Sequence, residues 1–292
     1  MTTDTAFDPT APLPGPPDPW AFASQPSVRP APPFHMTDMI AAEPALARRI
    51  LAHVGAPGGG GAALADLIRT TLQAGEPIVV TGCGTSEHGA MGAVDILRDA
   101  ARAAGLARAS IQAAQAFELS LDPPSRGLVI GISHEGGTGA TNGALAAARA
   151  MGARTAMVTV SGRSPAGAFA DVVVETNELD QGWCHTVGYV SPLLAAAAVG
   201  ALLSGRPLDA GAVADLLTAG TRDELGAERI AARLAEVLTC WSSHPAATGR
   251  LAGSSSSKWR RRRSCRRPTA TSRHSCTAIC RRPAPKRAWC SS

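Results

Sequence analysis

The sequence predicts an α/β fold: a parallel, doubly wound sheet with helices on both faces. Three observations carry this. Five short apolar runs, "PIVVTG", "ASIQAA", "GLVIGIS", "RTAMVTV" and "DVVVET", read as strands. The strongest are apolar throughout, as in strands buried on both sides. Two of them, "PIVVTG" and "GLVIGIS", run into glycine-rich turns and then into helical segments. The strand–turn–helix repeat is the signature of parallel crossovers.

Helical spacing begins in "MTDMIAAEPALARRILAHV", where Met36, Met39, Ile40, Leu46, Ile50 and Leu51 can share one apolar face. "GAPGGGG" interrupts it, and "AALADLIRTTLQAG" forms a second helix ended by Gly75. "SEHGAMGAVDILRDAARAAG" and "TNGALAAARAMG" follow the first and third strands. From Tyr189 the chain is helical again, through "YVSPLLAAAAVGALLSG", "DAGAVADLLTAG" and "TRDELGAERIAARLAEVL". The first of these is too short an apolar run to span a bilayer and reads as a buried helix.

Composition divides the chain. Residues 1–33 hold ten prolines and few large apolar residues, which predicts an extended, disordered arm without a core of its own. Order is expected from about Phe34. The basic end, residues 254–292, carries ten Arg and two Lys and no acid. Its charge of +12, set against +5 for the whole chain, leaves −7 on residues 1–253. The body therefore offers no basic footprint for nucleic acid. Cys83, Cys184 and Cys240 are widely spaced, as expected of reduced thiols in a cytoplasmic protein. The N-terminus lacks the pattern of a signal peptide.

In a doubly wound sheet, ligands bind at the carboxyl ends of the strands, near the point where strand order reverses. Two glycine turns sit at strand ends: "TGCGTSEHGAMG" (81–92) and "GISHEGGTGATNG" (131–143). Each offers backbone N–H groups and hydroxyls at a helix start, which suits an anion such as phosphate. Any α/β protein also needs tight turns there, and Ser or Thr at a helix start is a common N-cap. Cys83 is open to two readings, a thiol activated at a helix start or a small buried residue. Cys184 and His185 have no second pair to make a metal site. No metal or cofactor is expected, and no catalytic residue is assigned.

These motifs resemble the sugar isomerase (SIS) family. "GCGTSEHGA" is similar to the first ligand loop, especially that of the isomerase half of glutamine–fructose-6-phosphate amidotransferases. "SHEGGT" is similar to the second loop, usually Ser-Gln-Ser-Gly-Glu-Thr. "HMTDMIAAEP" resembles the helix before the domain, and "GWCHTVGY" lies where the family often has Gly-Val-Ala-Ser-Thr-Lys-Ala-Tyr. The resemblance covers residues 35–253, with the landmarks in order. It implies a three-layer α/β/α sandwich and a bound sugar derivative, an aminosugar phosphate or sugar phosphate. Thr85 and Ser86, beside Gly84, and Ser133, His134 and Thr138 would hold the phosphate, with Glu135 and Thr186 also at the pocket. Three departures stand out: Glu135 replaces a serine, Gly137 an acidic residue and Val187 a lysine. A carboxylate at 135 repels a dianion at close range and favours an amine or a neutral sugar.

The expected organisation is an arm (1–34), an SIS domain (35–205), a helical connector (206–245), the start of a second SIS unit (246–253) and a non-native-looking tail (254–292). The tail has no C-x2-C pair, and its codons permit a reading-frame shift that would restore a His-Gly motif and an acidic residue. In isomerising relatives the second unit supplies the Glu and His of acid–base chemistry. The chain as written lacks them and reads as a catalytically incomplete relative of phosphosugar isomerases and deaminases. The alternative is a single-domain regulatory module that binds a sugar derivative. The family's habit of pairing implies self-association.

Overall fold

A computed structural model describes residues 7–18, 20–21, 29–106, 110–182, 184–221 and 224–242. These fall into two units divided after Glu224. The first contains a five-stranded parallel sheet: β1 (Ile78–Gly82), β2 (Ile111–Gln115), β3 (Leu128–Ile132), β4 (Arg154–Thr159) and β5 (Val172–Glu175). The strand order is β2-β1-β3-β4-β5. Order reverses between β1 and β3, whose register pairs Thr81 with Gly131. The turns after these two strands are therefore neighbours in space.

Side-chain alternation along the strands builds two cores. Ile78, Val80, Leu128, Ile130, Ile132, Ala156, Val158 and Val174 face one layer. Val79, Val129 and Met157 face the other. The period of two explains why runs apolar at every position are needed here: both faces are covered. The weakest run, β2, is one of the two edge strands, and Gln112 and Ala113 in it are exposed.

The first layer holds α1 (His35–Val54), α2 (Gly60–Gln73), α3 (Thr85–Ala103) and α6 (Thr186–Ser204), with α7 (Ala210–Thr221) against α1. The second holds α5 (Gly139–Met151), the short α4 (Ala116–Leu121) and a 3-10 turn, Pro165–Phe169. Helix α6 is long and apolar enough to cross a membrane, yet 61% of that stretch is buried inside the domain. It is the central helix of its layer, packed on α1, α2 and α3. Small residues let it lie close to α3: a Cβ on Gly200 would sit 3.2 Å from that of Ala100. The alanine- and glycine-rich composition is thus a packing requirement.

The apolar face expected on α1 is largely present, with Met39, Leu46, Ile50 and Leu51 buried. Ile40 is half-buried and Met36 exposed, while Asp38 is buried beside the guanidinium of Arg29. Order does not begin at Phe34. The chain turns at residues 8–11, where the Ala11 N–H donates to the Asp8 carbonyl, and Phe7 and Leu13 pack on the domain core. Leu13 is buried, and its N–H donates to the buried carboxylate of Glu178. Helix α8 (Glu224–Ser242) is the described part of the second unit and exposes Ile230 and Leu234. The expected second SIS start and the basic tail lie outside the described residues.

Two glycines test this packing with opposite signs. A Cβ on Gly61, in α2, would lie 2.0 Å from the Val54 carbonyl oxygen, whereas one on Gly143, in α5, meets nothing within 4 Å. Gly61→Ala should lower stability by about 1–3 kcal/mol despite the better helix propensity of alanine. Gly143→Ala should raise it by about 0.5–1 kcal/mol. Denaturant unfolding of the two variants checks both.

Candidate functional site

The carboxyl ends of β1 and β3 meet two helix starts that no side chain caps. Gly84 precedes α3 at φ +61°, a left-handed geometry suited to glycine, and Thr138 precedes α5. The Thr138 hydroxyl is turned to another use: it accepts from the Ser133 hydroxyl at 3.1 Å. Gly82 allows the first turn to close, because a Cβ there would lie 2.5 Å from the Ser86 carbonyl. Thr85 is exposed and Ser86 half-buried. His88 Nδ1 lies 3.0 Å from the Gly84 carbonyl oxygen.

The second turn is held from below. The Ser133 N–H donates to the Val158 carbonyl, and the His134 carbonyl accepts from the Val160 N–H and the Thr159 hydroxyl. The Gly136 carbonyl accepts from Ala166 N–H and from Asn142 Nδ2. Glu135 and Gly137 are half-buried.

His134 is occupied. Its Nε2 accepts the Asp180 N–H at 2.8 Å, which requires an unprotonated Nε2 and leaves Nδ1–H as the ring's donor. Burial, with the nearby His185 ring, lowers its pKa to about 3. The ring is therefore a neutral strut across the site, and it can offer a ligand one uncharged hydrogen bond. The two rings meet edge to face, with centroids 6.3 Å apart.

Asp180 is the hub that the sequence did not reveal. Its carboxylate accepts from Gly182 N–H at 2.7 Å and from Gly188 N–H at 2.9 Å. This fixes the loop that leads into α6 and places His185 at the helix start with φ +50°. A non-glycine residue in the left-handed region signals local strain of the kind found at binding sites. Against Asp180 stands Glu43 of α1, a buried carboxyl whose pKa is pushed up to about 7 by burial and by the Asp180 charge.

Five buried side-chain polar atoms have no protein partner among the described residues: Thr141 Oγ1, Asn142 Oδ1, Ser164 Oγ, His185 Nδ1 and Thr186 Oγ1. All five lie on the loops and helix starts that follow β3, β4 and β5. Buried polar groups are normally satisfied, so these atoms call for water or a ligand. Of the residues expected from sequence, Ser133, His134, Thr138 and Thr186 belong to this end of the sheet. Gly84, Thr85 and Ser86 flank it across the strand reversal. Val187 does not belong: it is fully buried in the core. Among the described residues no group of His, Cys, Asp and Glu is placed to hold a metal ion.

No known family profile matches the chain. A curated relative, the isomerizing glutamine–fructose-6-phosphate aminotransferase of Gloeobacter violaceus, is 32% identical over 124 residues, 41% of this chain and 19% of the relative. A Silicibacter pomeroyi structure assigned provisionally as a phosphosugar isomerase superposes with a TM-score of 0.53 at 17% identity, covering 64% of this chain and 57% of that one. Escherichia coli tagatose-6-phosphate ketose/aldose isomerase superposes at 0.50 with 16% identity, covering 66% and 53%. The chain thus spans about a fifth of the curated relative and just over half of each solved structure. What these structures share with the chain is the fold, a parallel sheet between layers of helices. The chain thus has an SIS-type fold, and over 124 residues its sequence is similar to the aminotransferase.

The buried acid and imidazole give the site a pH signature. Glu43 holds its proton more tightly in the folded chain, at about 7 against 4.5. Its contribution to stability is full below about 4.5 and is lost as pH rises through 7. His134 runs the other way, about 3 against 6.5, so its contribution is full above 6.5 and is lost as pH falls toward 3. The two slopes oppose each other between 4.5 and 6.5. Glu43→Gln removes one of them, so the variant's melting temperature should gain on the wild type's as pH rises from 4.5 to 7. Parallel profiles would contradict the burial of this acid.

Proposed function

We propose that the end of the sheet at β1 and β3 binds a sugar phosphate derivative, with the phosphate at the start of α5 and the sugar toward α3 and α6. The observation that carries the reading is a set of buried, unpartnered polar atoms on the loops and helix starts after β3, β4 and β5, beside the uncapped start of α5. The Ser133 and Thr138 hydroxyls and the first N–H groups of α5 suit an anion. Gly84, Thr85 and Ser86 supply a second set of donors from β1, and the Thr186 hydroxyl a third from α6. The names of the relatives, a fructose-6-phosphate aminotransferase and a tagatose-6-phosphate isomerase, support the same ligand class.

Glu135 sets the preference within that class. A carboxylate next to a phosphate site costs affinity for a plain sugar phosphate and recovers it when the sugar carries an ammonium group. The ligand is accordingly an aminosugar phosphate. His134, neutral and tied to Asp180, positions the loop and donates from Nδ1. Turnover needs acid–base groups that the family resemblance places in the second unit. The described body is thus the ligand-binding half of a phosphosugar isomerase relative, and it acts in the cytoplasm as a self-associating protein. Cys83 and Cys184, both free, accord with a reducing compartment.

Calorimetry with glucosamine 6-phosphate and glucose 6-phosphate tests this. Ser133→Ala should weaken both by about 10–100-fold, the value of a hydrogen bond to a charged group. Glu135→Ser should strengthen glucose 6-phosphate binding and narrow the preference for glucosamine 6-phosphate. Absence of binding to either sugar by the wild-type protein would overturn the reading.

A further inference from the structure

We infer that the N-terminal segment, residues 10–18 with Trp20, is a wall of the ligand site, strapped across the corner where Glu135 lies. The first support is a clamp at one end. Arg49 of α1 makes two contacts to the buried Glu178 carboxylate and also donates to the Thr10 and Ala11 carbonyls, at 2.9 and 3.2 Å. Glu178 in turn accepts the Leu13 N–H at 2.9 Å. The Leu179 N–H donates to the Pro14 carbonyl at 3.2 Å. One guanidinium and one carboxylate thereby fix the strap to the segment that ends at Asp180.

The second support is an anchor at the other end. Arg163 donates to the Pro16 carbonyl at 3.3 Å and pairs with Asp18 at 2.6 Å. Pro16, Pro17 and Trp20 line a shallow crevice together with Glu135, Ser161 and Leu179. The strap therefore abuts the very residue that distinguishes this second loop.

The composition suits the task. Proline has no N–H to leave unsatisfied, and its carbonyls serve as the acceptors here. Its fixed φ lowers the entropy cost of holding an extended segment against the domain. Trp20 brings an aromatic surface beside a carboxylate, a pairing that favours a cationic amine. The segment read from sequence as an unstructured arm is thus a specificity element for the amine-bearing end of the ligand. This part of the inference rests on the function proposed above; the strap itself does not.

Two measurements on the full chain separate these. In hydrogen–deuterium exchange without ligand, the Leu13 and Leu179 amides should be protected. Arg49→Met should accelerate both more than tenfold while the α5 amides of 144–148 stay unchanged. Exchange of Leu13 at an unstructured rate in the wild-type protein, or no response to Arg49→Met, overturns the strap. Should the variant fail to fold, the wild-type rate at Leu13 decides alone. Then, by calorimetry, Trp20→Ala should weaken glucosamine 6-phosphate about tenfold and leave inorganic phosphate within twofold. Equal losses for both, or none, overturn the wall. If wild-type protein binds inorganic phosphate but not the aminosugar, the amine-selective wall fails with the ligand assignment, and the exchange result still judges the strap.

Discussion

The hydrogen bond from the Asp180 N–H to His134 Nε2 holds the site together. One end is the glycine turn after β3, braced through the His134 carbonyl by Thr159 and Val160. The other is the loop that Asp180 folds around its own carboxylate before α6 begins. The bond needs a neutral imidazole, and burial ensures one at any physiological pH. Glu43 completes the arrangement from α1. Two carboxyl groups this close in a buried site share their charge poorly, and Glu43 is the one that keeps its proton near neutrality. Loop, imidazole and acid are therefore one unit, contributed by three separate parts of the chain.

The sheet around it was legible because local rules sufficed. Runs such as "VIGI" are apolar at every position, as a doubly covered strand must be, and glycine follows where the chain turns into a helix. The two glycine turns were legible for the same reason, but the strand order that makes them neighbours came only from the structure. The 3-10 turn at Pro165–Phe169 and the six-residue α4 are too short to carry a period and were not read. Met36 was placed on an apolar face by spacing alone, but in the first turn of α1 it is Asp38, paired with Arg29, that is buried, and Met36 is exposed.

The residues of the site divide in the same way. Ser133, Thr138 and Ser86 stand beside glycines at strand ends, so their placement is local. Asp180, 46 residues from His134, carries no local mark of its role. Glu178, 165 residues from Leu13, turns a proline-rich segment from an apparent tail into part of the domain. Composition describes what a segment can bury by itself, and this one buries its leucine in someone else's core. Glu43 was visible only as a carboxylate before Pro44 in an otherwise apolar helix face. Its partner could not be guessed.

The account as a whole depends on where a sugar phosphate sits. The direct measurement is a crystal structure of the full chain grown with glucosamine 6-phosphate. The phosphate should lie at the start of α5, within hydrogen-bond reach of the Ser133 and Thr138 hydroxyls, with at least one of Thr141 Oγ1, Ser164 Oγ and Thr186 Oγ1 satisfied by ligand or by its water. The amine should face Glu135. A ligand bound away from the strand reversal, or a site filled by water alone at saturating ligand, would contradict the account.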